Sequence, residues 1–100
     1  MRRKVFPRSA SRIENNLFIL NERLVKEKEA LEALREQADT LAQMAEEGRI
    51  RALVSDTLFD KEQADATRRH AELALQNVDK AYGMVLKLER EREELLKKLL

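Results

Sequence analysis

The chain has 100 residues, of which 39% are charged and only 4% aromatic, with two glycines, one proline and a net charge of +1. Such a composition specifies long helices in a single domain and leaves little bulk for a core, so a lone two-helix monomer is marginal. The absence of cysteine excludes disulfides and thiolate metal sites. The longest apolar run, Leu17-Phe18-Ile19-Leu20, is far short of the roughly 20 residues of a membrane span.

Residues 1–10, MRRKVFPRSA, contain Pro7 and no apolar period, which predicts an extended or disordered arm. Arg2, Arg3, Lys4, Arg8 and Arg12 all precede the first acid, Glu14. Taking these five from the 20 basic residues leaves 15 against 19 acids, so a body of net charge −4 carries a basic arm. Five clustered cations are candidates for contacting nucleic-acid phosphates or an anionic surface, with Phe6 available to stack, although most charge runs are simply solvated. The twin arginines lack the apolar segment of a secretory signal, and the expected location is the cytoplasm.

Ser11-Arg12-Ile13-Glu14 has the S-x-x-E form of a capping box, which predicts that helix 1 starts at Ser11. Ile13, Leu17, Leu20, Leu24, Leu31, Leu34, Ala38, Leu41 and Ala45 then alternate in steps of four and three once Glu27 fills the one polar slot. That rhythm is a heptad seam. Gly48 could end the helix, but Glu46 and Glu47 would then stand at the negative end of the helix dipole. Ile50, Leu53 and Val54 continue a helical face, so helix 1 is expected to run over 11–54 with Gly48 as the point of any kink. The turn is expected over 55–59, a normal connection length.

Asp60-Lys61-Glu62-Gln63 offers a second cap, which predicts helix 2 over 60–98. Its apolar positions are Ala64, Ala71, Ala74, Leu75, Val78, Ala81, Tyr82, Val85, Leu88, Leu95, Leu96 and Leu99, interrupted by Arg92. The resulting fold class is all-α: an antiparallel, coiled-coil-like two-helix hairpin over 11–100, expected to dimerise into a four-helix bundle.

Folding the chain about residue 57 pairs positions whose numbers add to about 114, within one helical turn. The half nearest the turn is rich in alanine, which lets two helices seal each other and leaves little for a third element. At the open end, Leu17, Phe18, Ile19 and Leu20 are apolar all around helix 1, opposite Leu95, Leu96, Leu99 and Leu100. A helix apolar on more than one face needs more than one neighbour, so this patch is the candidate interface for a second copy or another protein. A further candidate occupant is the arm itself, with Val5 and Phe6 folding back. Glu27 and Arg92 are the candidate register pair across helices or subunits, unless both reach out to water.

Little in the sequence suggests catalysis. His70 follows Thr67-Arg68-Arg69 rather than the Glu-x-x-His of a bundle di-metal site, and there is no phosphate-binding loop or nucleophile elbow. No catalytic residue, metal or cofactor is expected. Asp56 and Asp60 share the hairpin tip. In shape and in those two acids alone, the chain resembles the coiled-coil regulators that enter the secondary channel of bacterial RNA polymerase, which implies regulation through the tip. The reading favoured is a structural or protein-interaction module, with nucleic-acid binding by paired basic arms as the alternative.

Overall fold

The computed structural model describes the backbone of residues 8–100 and side chains from residue 11 onward. Two helices, α1 (Arg8–Ser55) and α2 (Leu58–Leu99), pack against each other as a hairpin with no strand among the described residues. The chain divides into two compact units, an open-end unit (Met1–Glu29 with Gly83–Leu100) and a turn unit (Ala30–Tyr82).

The start of α1 lies at Arg8, three residues before the predicted cap. Ala10 is a strong helix former and nothing between Arg8 and Ser11 opposes a helix, so Ser11 lies inside α1. Arg2, Arg3 and Lys4 of the basic arm lie outside the described residues, and Arg8 is described by its backbone alone.

The connection is Asp56-Thr57, shorter than the five residues expected. Asp56 donates its N–H to the Ala52 carbonyl at 3.0 Å and takes a φ of 53°, the left-handed conformation that ends helices. Thr57 then caps α2. Its hydroxyl accepts the Asp60 N–H at 3.2 Å, while its carbonyl accepts the Lys61 N–H at 3.1 Å. Asp60 is therefore the third helical residue rather than the cap. Its carboxylate accepts from the Ser55 hydroxyl and lies favourably at the positive end of the α2 dipole. The cap thus lies at Thr57, three residues before the Asp60 expected from the sequence.

In the turn unit, the enclosed side of α1 runs Leu31, Leu34, Ala38, Leu41, Ala45, Gly48 and Ala52, an unbroken alternation of three and four. The enclosed side of α2 has the same rhythm through Asp60, Ala64, Thr67, Ala71, Ala74, Val78 and Ala81. Gly48 belongs to the seam and faces Ala64, whose Cα lies 3.6 Å from where a glycine Cβ would stand. The numbers 48 and 64 add to 112, which fixes the register two short of the expected sum. Alanine and glycine layers bury little area, and their contribution is close helix approach rather than bulk.

The open-end unit holds the bulk. Leu24 and Leu88 are 1% and 0% exposed, and Leu20 and Val85 are also buried. Each enclosed leucine contributes about 1.5–3 kcal/mol of burial, so this small leucine cluster outweighs several alanine layers. Lys28 reaches Glu89 at 4.0 Å on one flank of the seam, and Arg23 reaches the Met84 sulfur at 3.8 Å on the other. Those two pairs add to 117 and 107 and so bracket the sum of 112 that places Leu24 level with Leu88.

Candidate interaction surfaces

The open-end unit exposes apolar side chains directly beside its core. Phe18 is 64% and Ile19 55% exposed, while Leu20, next in the chain, is buried. The three fall on different sides of one turn, and the seam takes only one of them. Leu20 is therefore removed from the predicted interface. Leu17 and Leu95 are half-buried in the seam, and Leu96 and Leu99 remain at the surface with Leu100. The face that carries the Lys28–Glu89 pair also carries Phe18 and Val25, both exposed, so its apolar content lies on more than one turn of α1.

Glu27 and Arg92 both occupy half-buried seam positions. Within the chain they do not meet: the Arg92 guanidinium lies 3.9 Å from Glu89 on its own helix, and Glu89 is shared with Lys28. In the register above, Glu27 is level with Val85 and Arg92 with Leu20, two turns apart. No buried side-chain polar atom among the described residues lacks a partner.

The turn unit is more exposed than alanine richness suggests. Leu53, Val54, Leu58 and Phe59 are all more than two-thirds exposed around the connection. The seam passes through Gly48 and Ala52, so the face continued by Ile50, Leu53 and Val54 is an outer one. Sequence reasoning missed this patch because Leu58 and Phe59 were assigned to a turn, where no periodicity reports a face.

On one side of the turn unit, the helices leave a shallow groove of about 730 Å³. Ala42, Ala45, Ala52, Ala64 and Ala71 lie along it, with Leu53 and Leu75 among its apolar rim residues. Charged residues complete the rim and pair locally. Arg49 donates to Glu46 at 2.6 Å, and Arg68 donates to Asp65 and to Glu72, both at 2.7 Å. Lys61 lies 2.7 Å from Asp56. The hydrogen bonds from Arg49 and Arg68 hold the Glu46 and Asp65 carboxyls below the usual carboxylate range and raise the two guanidinium groups. Farther from the turn, Arg35 stands 5.9 Å above the Tyr82 ring, a cation–π contact between the helices.

The tip acids Asp56 and Asp60 are engaged by Lys61 and Ser55, and their work in this structure is to close the connection. Arg12 is exposed, and His70 is an exposed residue beside a groove lined by Gln37 and Leu73. Among the described residues, no group of three or more His, Asp or Glu side chains is placed to hold a metal ion. No described helix is long and apolar enough to cross a membrane. No family model matches the chain, and no match is found among curated proteins or solved structures.

Proposed function

We propose that this chain is a non-enzymatic protein-interaction module that self-associates through the open-end unit. The observation that carries the reading is the exposure of Phe18 and Ile19 beside buried Leu20. A hairpin that encloses Leu24 and Leu88 completely, yet leaves an aromatic and a β-branched side chain in water one turn away, has a core that continues outward. A second copy supplies the missing neighbours by the rule that homo-oligomers use one patch twice.

Sedimentation or light scattering of the wild type and of the Phe18→Glu, Ile19→Glu variant tests the reading. The expected wild-type mass is about twice 11.7 kDa, falling to the monomer or to unfolded chain in the variant. A wild type that is folded and monomeric at all concentrations, or a variant that associates as strongly as wild type, overturns it.

A further inference from the structure

We propose that one flank of the open-end unit, carrying Arg12, Arg23, Lys26, Lys87, Arg90 and Lys98, binds the phosphate backbone of duplex nucleic acid. The partner is different from the second copy of the self-association reading, and the proposal does not depend on that reading.

Two contacts across the seam divide the unit into flanks. Arg23 meets the Met84 sulfur on one of them. Arg12 and Lys26 stand about three turns before and one turn after Arg23, and Lys87 and Lys98 about one and four turns beyond Met84, so helical periodicity puts all of them on this side. Arg90 joins Lys87 around a shallow depression with Glu91, Glu94 and Leu95. The other flank has the Lys28–Glu89 contact, with Phe18 and Val25 exposed beside it.

Charge separates the flanks. The six bases of the first stand against Glu27, four residues after Arg23, and against Glu91 and Glu94, for a net of +3. The second carries Glu14, Glu22, Glu29, Glu89 and Glu93 against Lys28 and Arg92, for a net of −3. Bases elsewhere in the unit are engaged, Lys28 and Arg92 with Glu89 and Lys97 with Glu94. The six are all exposed, and none has an ion-pair partner among the described residues. Residues 1–10 contain no acid to supply one. Arg23, Lys26, Lys87 and Arg90 come from both helices around the level of Leu24 and Leu88, within about 6 Å along the hairpin. Cations gathered in this way and left uncompensated are relieved by a polyanion.

Shape and the neighbouring side chains select the ligand. From Arg12 to Lys26 the bases of α1 extend over about 21 Å, a length over which a duplex is stiff and keeps its phosphates in a fixed row. A single strand is held by aromatic platforms, and Phe18, the one aromatic residue described in this unit, lies on the other flank. A membrane surface is held by apolar side chains set among the bases. Ile19 stands among them, but Phe18, Val25 and Leu96 lie on the other flank.

Fluorescence anisotropy of labelled duplexes of about 20 base pairs, one DNA and one RNA, is followed with the full chain between about 50 and 200 mM salt. The expected result is binding to at least one duplex, with log K falling against log salt at a slope of about −5 for six phosphate contacts. The Arg23→Gln, Lys26→Gln, Lys87→Gln, Arg90→Gln chain should keep its helix content, because glutamine is a comparable helix former. Its binding should be at least about tenfold weaker, with the slope shallower by about three. An equal loss of charge in the turn unit, Arg35→Gln, Arg49→Gln, Arg51→Gln and Arg69→Gln, should leave the slope as in the wild type. The proposal is overturned by a wild type that binds neither duplex at about 50 mM salt or shows a slope shallower than about −2, whatever the variants do. Equal affinity and slope in the wild type and the flank variant, which would assign binding to residues 2–8, overturn it as well. So does tighter binding to phosphatidylserine vesicles than to either duplex at the same salt.

Discussion

Gly48 faces Ala64 across the seam so closely that a Cβ added to the glycine would stand 3.6 Å from the alanine Cα and 3.9 Å from its Cβ. Both distances are ordinary van der Waals contact. A methyl group fits here without a clash.

Gly48→Ala should therefore stabilise the protein by about 0.5–1 kcal/mol, because the helix-propensity gain is opposed by no clash. Gly83→Ala has open space around its new Cβ and should give a similar gain. Gly48→Leu drives a side chain into α2 and should destabilise by about 1–3 kcal/mol. Thermal unfolding followed by far-ultraviolet dichroism ranks the three. A loss of stability in Gly48→Ala would mean that the helices are closer than described.

The cap at Thr57 and the cap expected at Ser11 separate under substitution. Thr57→Ala removes the hydroxyl that accepts the Asp60 N–H and should cost about 1 kcal/mol. Ser11→Ala replaces a residue inside α1 by a better helix former and should be neutral or slightly stabilising. Equal losses for the two would restore Ser11 as a working cap. Denaturant titration with a constant slope gives the comparison.

Glu46 and Asp65 predict a specific acid response. Their folded carboxyls titrate below the unfolded range of about 4, so their contribution is present above that range and is lost as pH falls through the lower folded values. Both groups are solvent-exposed and their pairs are screened by salt, so the contribution is small. The wild-type melting temperature should fall below pH 4 more steeply at low salt than at 1 M salt. Glu46→Gln with Asp65→Asn should flatten that fall, and melting curves from pH 7 to pH 2 read the difference. The raised guanidinium groups titrate far above this window and do not contribute.

The seam was legible because its rule is local. Steps of four and three through Leu20, Leu24 and Leu31 carry their own phase, and Glu27 could be fitted into the slot it occupies. The hairpin and its approximate register followed. Residues with two roles were less legible. Gly48 reads equally as a helix end and as a close-approach residue, and only the position of Ala64 decides between them. Leu75, Tyr82 and Leu96 carry the apolar signal of core positions, yet they sit one step beside the seam at 55%, 46% and 40% exposure. In a narrow two-helix interface a shift of one residue moves a side chain from the enclosed line to its rim. The Ala42–Leu75 groove was hidden for the same reason, since its members come from two helices whose register was known only to a turn.

The two-residue connection also governs the order in which the chain organises. Gly48 and Ala64 are 16 residues apart, whereas Leu24 and Leu88 are 64 apart. Closing the nearer pair costs less chain entropy but gains only a glycine against an alanine, while the leucines that repay the cost lie at the far end of both helices. Early turn formation is thus cheap and weakly rewarded at its first layer, and the reward grows as pairing reaches Leu41, Leu34 and Leu31 and then the leucines beyond them. Pairing that starts at the connection reaches Leu24 and Leu88 last, so these are the side chains left open longest to a neighbouring molecule.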